Sequence, residues 1–301
     1  MTLVAAVDCG TNSIKLLIGD LPRVLVRESR VVRLGQGVDE TGRLADEALT
    51  RTFAAIEEFA DLIHAFDVPV EHIRFCATSA TRDSANSQVF VDGVRERLGV
   101  TPHVLSGMEE AALVFDATAF LDPPPAAPAL VVDIGGGSTE LVLGHDHPDV
   151  AVSMDIGSVR LHERHLHDDP PTTDQVAACL ADIDAHLAAS PVPLADAKSV
   201  IGTSGTVKTL AAGMLDLPTY DRDTVDGSRF GAAETREYVE HLVAMTVVER
   251  RAIPSMHPGR ADVIGAGALI WSRVLAGSGV PAFTVSEADV LYGIASTMDR
   301  G

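Results

Sequence analysis

Lysine is nearly missing from this chain. Only Lys15, Lys198 and Lys208 occur among 301 residues, so positive charge rests on arginine, whose fork donates two parallel hydrogen bonds to a phosphate. Aromatic residues are scarce, at 4%, so a core must be built from Val, Leu, Ile and Ala. Cys9, Cys76 and Cys179 are too few and too scattered for a disulfide framework or a Cys-rich zinc site, and they suit a reducing, cytoplasmic setting. No uncharged apolar run reaches about 18 residues, so no membrane span is expected. No basic segment precedes an apolar core at the N-terminus, so no signal peptide is expected. The net charge of -20 excludes nonspecific nucleic-acid binding, which needs a basic face. It also means that a polyanionic ligand must be held by focused arginines, backbone N–H groups and a metal ion against the average field.

What is present is a near-duplication. Asp8-Cys9-Gly10-Thr11-Asn12-Ser13 follows an apolar run over 3–7 and leads into a second run over 14–19. Asp133-Ile134-Gly135-Gly136-Gly137-Ser138-Thr139-Glu140 follows an apolar run over 129–132 and leads into 141–144. Each reads as a buried strand that ends near an Asp, turns through small residues and returns. Such a turn directs several N–H groups at one point, and glycine lets an oxygen come close. Thr11, Asn12, Ser13, Ser138 and Thr139 add hydroxyl and amide groups. A single turn of this kind is an ordinary hairpin; two in the same order point to a ligand.

Elsewhere strands and helices alternate, which predicts an α/β protein. Strands are expected over 4–7, 14–18, 24–32, 73–77 and 104–105, then over 130–132, 141–143, 150–153 and 200–201. Leu49, Phe53, Ile56, Ala60 and Ile63 recur at spacings of four and three, predicting a helix over 46–66. Helices are also expected over 84–98, from about 106, over 173–189, 259–276 and 289–298. Three adjacent prolines, Pro123 to Pro125, read as a stiff linker. Two domains are expected, 1–126 and 127–301, with the last helix packing back on the first. Arg27, Arg30 and Arg33 read as one solvated strand face.

Several single residues have a plain and a functional reading. Glu109 and Glu110 are either dipole-complementing first-turn acids or a cleft pair, of which only one can face inward because neighbours on a helix point about 100° apart. Asp133 with Glu140, and Asp8, can hold Mg²⁺ or another divalent cation through oxygen and water. Arg82 and Arg160 are surface arginines or phosphate clamps. The stretch 202–209 resembles a Walker A loop but has Val207 where glycine is required before Lys208. Cys9 reads as a small buried cysteine, not a nucleophile. His162, His165 and His167 lack zinc spacing.

At this point the chain resembles a known family. The hairpin pair is similar to the phosphate-binding turns of the actin, Hsp70 and sugar kinase superfamily. The details resemble its Ppx/GppA branch in the short two-domain form. The resemblance rests on 8–15, Ala77-Thr78-Ser79-Ala80-Thr81-Arg82, Ser106-Gly107-Met108-Glu109-Glu110-Ala111, 133–140, Asp155-Ile156-Gly157-Ser158-Val159-Arg160 and Gly202-Thr203-Ser204-Gly205-Thr206, in the family's order. It implies two actin-like (ribonuclease H-like) α/β domains with a cleft between them. It implies hydrolysis of the terminal phosphate of inorganic polyphosphate by metal-assisted water attack. Alternatives are the pppGpp 5′-phosphate or acetate- or sugar-kinase-like transfer. It implies Glu110 as general base with Glu109 as fallback, and Glu140 as metal ligand or water-positioning carboxylate. Thr11, Asn12, Ser13, Arg82, Gly135, Gly136, Gly137, Ser138, Thr139, Arg160, Gly205 and Lys208 are implied as substrate ligands. Homodimers occur in such families.

Overall fold

The computed structural model describes residues 3–298. They form two compact units. One holds the residues up to 117 and those from 290 onward; the other holds 118–289.

In the first unit β1 (Val4–Cys9), β2 (Ser13–Asp20) and β3 (Arg23–Val31) form an antiparallel meander. After α1 (Val38–Thr41) and α2 (Asp46–Ala65), β4 (Ile73–Ala77) joins β1 in parallel. Then come α3 (Ser79–Arg82), α4 (Ser87–Leu98), the short parallel strand β5 (His103–Val104) and α5 (Gly107–Asp116). The order across the sheet is β3-β2-β1-β4-β5. Side chains alternate along a strand. Ala5, Val7, Cys9, Ile14, Leu16 and Ile18 pack with Ile56, Phe59 and Phe90 of α2 and α4. Asp8 and Lys15 therefore lie on the other face.

In the second unit β6 (Ala129–Ile134), β7 (Thr139–Gly144) and β8 (Pro148–Met154) repeat the meander. They are followed by α6 (Ser158–His165), α7 (Thr173–Ala189), β9 (Ser199–Thr203), α8 (Ser204–Met214) and α9 (Arg222–Val225). The unit continues with β10 (Arg229–Gly231), α10 (Ala232–Ala244), α11 (Val247–Arg251), α12 (Ile264–Ser278) and β11 (Ala282–Val285). The sheet order is β10-β11-β9-β6-β7-β8. Its core is aliphatic around one tryptophan, Trp271, packed edge-on to Phe283 with ring centroids 4.8 Å apart. Leu130, Val132, Ile134, Leu141 and Leu143 point into that core. Asp133 and Glu140 fall on the opposite face by alternation.

The strands and the helices over 46–66 and 173–189 form where their periodicity predicts. The unit boundary lies near 117 and not at 126, because the Pro-rich segment is tied to the second unit. Ser199 Oγ donates to Ala126 O at 2.6 Å, and Lys198 N donates to Pro128 O at 2.9 Å. Arg27 and Arg30 do not share a face. Arg27 lies over Tyr292 at 5.3 Å and Arg30 over Phe59 at 5.9 Å. A spacing of three puts strand residues on opposite sides.

The last helix, α13 (Val290–Ser296), returns to the first unit and packs on α5, β1 and β2. Gly293 is what lets it sit so close, since a Cβ there would overlap the Leu113 carbonyl. Gly293→Ala should therefore cost about 1–3 kcal/mol in urea unfolding, the scale of overpacking. An unchanged midpoint would show that α13 shifts without penalty.

Candidate active site

Each meander turns at its first hairpin, and the two hairpins share one register. Asp8 pairs with Lys15, and Asp133 pairs with Glu140. Directly opposed residues point to the same side of a sheet. In the first hairpin the partners are of opposite charge, and Lys15 Nζ lies 3.0 Å from Asp8 Oδ2. In the second they are two buried carboxylates, with Glu140 Oε1 accepting from Ser153 Oγ at 2.7 Å. Asp8 is thus ion-paired with Lys15 through Oδ2. Asp133 and Glu140 offer the hard oxygen donors a divalent ion takes. No cluster of three or more metal-binding side chains occurs among the described residues. Two carboxylates still fit Mg²⁺, which keeps several waters and accepts phosphate oxygens.

The Gly135–Thr139 turn is held from behind. Ser158 N donates to Gly135 O at 2.9 Å, and Val159 N and Arg160 N donate to Gly136 O at 2.9 and 3.1 Å. Arg160 Nε donates to Gly137 O at 2.8 Å. Gly157 permits this approach, because a Cβ there would run into the Gly136 backbone. Three successive carbonyls are thus tied to the start of α6, and within the turn Gly135 N donates to Ser138 O at 2.9 Å. Arg160 therefore braces the turn through its Nε. Thr139 Oγ1 donates to Ile156 O at 2.7 Å and is structural as well.

The first turn is built similarly. Gly10 N donates to Ser13 O at 3.0 Å, while Asn12 O accepts from Val32 N and Arg33 N. Thr11 Oγ1 and Ser79 Oγ are 2.8 Å apart and buried. Asn12 Oδ1 and Thr81 Oγ1 are buried with no protein partner, which marks this turn as a place where a ligand or water completes the bonding. Ser79 and Thr81 lie inside a motif legible in the sequence, yet their side chains are not singled out there; their type gives no signal until β4 places them beside Thr11.

Glu109 and Glu110 separate cleanly. Glu109 closes a capping box at α5: its Oε2 accepts from Ser106 N and Ser106 Oγ, both at 2.8 Å, and His103 Nε2 lies 3.1 Å from its Oε1. The Ser106 backbone bond above all, then the Ser106 hydroxyl and His103, hold its pKa down to about 2. A carboxylate so stabilised is a poor proton acceptor, so Glu109 is a cap and not the fallback base. Glu110 is buried on the same turn, with its Oε2 3.7 Å from Arg82 Nη1. Arg82 also donates from Nη1 to Leu105 O at 2.8 Å, which directs it toward the acid's own helix.

Lys208 is not where a Walker lysine would be. The β9–α8 junction has no loop, since α8 starts at Ser204 directly after Thr203, with Ser204 at φ 80°. Lys208 Nζ is buried, 3.0 Å from Asp289 Oδ2 and 3.5 Å from Glu287 Oε2. Its charge is already matched, which removes it as a phosphate ligand. Cys9 is buried, and burial, reinforced by Asp8, pushes its thiol well above the ordinary value; it is no nucleophile.

A three-strand antiparallel meander continued by parallel strands is present in both units, as β3-β2-β1-β4-β5 in the first and as β8-β7-β6-β9-β11 in the second, where β10 is added as an antiparallel edge, and it defines the actin-like, ribonuclease H-like fold. The Ppx/GppA phosphatase family model matches residues 14–290, and the chain belongs to the Ppx/GppA phosphatase family. It is 42% identical to exopolyphosphatase 2 of Mycobacterium tuberculosis, with 99% of each chain covered. The crystal structure of an exopolyphosphatase-like protein superposes at TM-score 0.95 with 44% identity and 99% of each chain covered. An exopolyphosphatase from Cytophaga hutchinsonii gives TM-score 0.89 at 29% identity, covering 99% of this chain and 98% of that one.

The Glu109 cap makes a pH prediction. Its folded pKa of about 2 lies below the ordinary 4.5. The cap therefore stabilises fully above 4.5 and loses that contribution as pH falls toward 2. Glu109→Gln removes the titration. Wild type should lose more stability than the variant across that window in urea unfolding, by an amount trimmed by solvent screening at this exposed site. Equal losses would show that the cap bond is not made.

Proposed function

We propose that this chain is an exopolyphosphatase, releasing orthophosphate from the end of inorganic polyphosphate. The observation that supports it most directly is Asp133 set opposite Glu140 beside a glycine turn whose carbonyls are tied back to α6. A facing carboxylate pair suits metal-assisted attack on a phosphoric anhydride.

Glu110 accepts the proton of the attacking water as its oxygen bonds to the terminal phosphorus. The bond to the bridging oxygen breaks, and the shortened chain leaves with that oxygen. The backbone amides of Gly136 to Ser138 would donate to phosphate oxygens, where charge is greatest. Asp133 and Glu140 would hold Mg²⁺, which supplies charge neutralisation at the phosphoryl oxygens. Ser153 orients Glu140 for that role. The same anhydride chemistry would serve the 5′-phosphate of pppGpp. Three free, well-separated cysteines fit our reading of a cytoplasmic enzyme.

Phosphate release from short polyphosphate, long polyphosphate and pppGpp, with Mg²⁺ titrated, tests this directly. Glu110→Gln should lower kcat by about 10²–10⁴ while polyphosphate still binds, and Glu109→Gln should stay within a few-fold of wild type. Glu140→Gln should raise the Mg²⁺ concentration needed for half-maximal rate. Full activity in Glu110→Gln would refute the assignment of the base, and absence of release from every polyphosphate would refute the activity.

A further inference from the structure

The two hairpin turns are braced in different ways. Behind the Gly135–Thr139 turn stands a helix, whose leading amides hold its carbonyls. Behind the turn over Gly10–Ser13 there is a loop, residues 32–36, between β3 and α1. Gly35 N donates to Thr11 O at 2.9 Å, and Val32 N and Arg33 N both donate to Asn12 O, at 3.0 and 2.9 Å. Successive amides converge on one oxygen when the backbone bends as it does in an anion-binding nest. Arg33 accordingly sits at φ 53°, a region costly for a residue with a Cβ. A Cβ at Gly35 would run into the Thr11 side chain and Ala80, so glycine is what lets the loop come so near.

A strained loop keeps its shape where its surroundings over-determine it. Val32 and Leu34 are buried in the core of the first unit, which fixes alternate residues. From α2, a helix of 20 residues, the Arg51 guanidinium reaches both ends of the loop. Its Nε donates to Val32 O at 2.9 Å and its Nη2 to Gln36 Oε1 at 3.2 Å. Charged donors make the stronger hydrogen bonds. Val32 is thus gripped twice, its carbonyl by Arg51 and its amide by Asn12 O. A loop that merely joined β3 to α1 would be relieved by glycine at position 33, as Gly37 serves at φ 71°. The path from Arg51 ends instead at an unmet group. Asn12 Oδ1 is buried and has no protein partner. An amide oxygen can only accept, so what it awaits is a water beside the substrate.

We propose that Arg51 is a positioning residue for the reaction. It acts through the 32–36 loop, which fixes the backbone of Thr11 and Asn12 and so presents Asn12 Oδ1 at a set place. This rests on the proposed function and deepens it. Polar groups stabilise a transition state in so far as they are held in place beforehand, and a small displacement carries a large cost in rate. In the second unit α6 supplies that rigidity by itself. In the first unit a loop does the same task, and a loop needs a clamp.

The test is a double-mutant cycle between Arg51→Ala and Asn12→Ala, read in turnover of polyphosphate and in calorimetric binding of tripolyphosphate. Thermal melts establish that each variant is folded. Ile63→Val, a core truncation elsewhere on α2, is the control for lost stability. Arg51→Ala alone should lower kcat about tenfold, Arg51→Lys should recover part of it, and Ile63→Val should leave it unchanged. In the Asn12→Ala background Arg51→Ala should cost nothing further in either reading, since residues that act through one another are not additive. Amide exchange supplies a structural arm. In Arg51→Ala the amides of Val32, Arg33 and Gly35 should exchange faster while those of mid-α2 stay protected. Additive losses, an Asn12→Ala variant equal to wild type, or an equal loss in Ile63→Val would overturn the positioning role. The exchange and binding arms do not need hydrolysis: if they show the coupling and phosphate is never released, the hold of Arg51 on Asn12 stands and the exopolyphosphatase reading falls.

Discussion

The register of the first hairpin in each unit is the constraint on which the site depends. Six pairs link β1 to β2 and six link β6 to β7. A slip of one residue would send Asp133 and Glu140 into the aliphatic core and bring Ile134 or Leu141 out. The alternation of Leu130, Val132 and Ile134 forbids that slip, because three buried side chains would be lost. The hydrophobic pattern that makes the sheet thus also fixes where the carboxylates stand. Fold and chemistry are determined by the same periodicity.

The two hairpins show what a change at one pair does. Lys15 and Glu140 occupy equivalent places, seven residues after Asp8 and Asp133. The first pair is a local ion pair that satisfies itself. The second sets two buried carboxylates directly opposite each other, the pair to which the proposed function assigns a divalent cation. The backbone around it is held from behind, since α6 takes the carbonyls of the turn.

Much of this was legible in the sequence. The Asp–small-residue turns, the Glu pair and the alternation of strands and helices gave both sheets' central strands and the placement of Asp133, Glu140 and Glu110. What was not legible depended on contacts between segments far apart. Glu109 and Glu110 are equal candidates by type; Ser106 and His103 decide between them by binding one. Lys208 fits a motif by spacing, but Glu287 and Asp289, about eighty residues on, claim its charge. That Arg160 braces the turn through Nε depends on the close approach Gly157 allows. Arg260 carries no motif, and only the fold shows that Gly205 leaves room for its guanidinium. The short strands β10 and β11 escaped notice because three or four residues show no measurable alternation.

The excess of negative charge is less of an obstacle to a polyanion than its size suggests. Exposed carboxylates are screened within about 10 Å at ordinary ionic strength, whereas groups out of water act at full strength over short distances. The scarce cations are divided accordingly. Arg250 is buried and donates to Leu242 O, Val243 O and Ala261 O, so its fork closes a chain reversal. Lys15 and Lys208 are matched by neighbouring carboxylates. With the buried cations held by local partners and the exposed carboxylates screened, the net charge of the chain says little about the field at any one turn, which is set by the groups within a few ångströms of it.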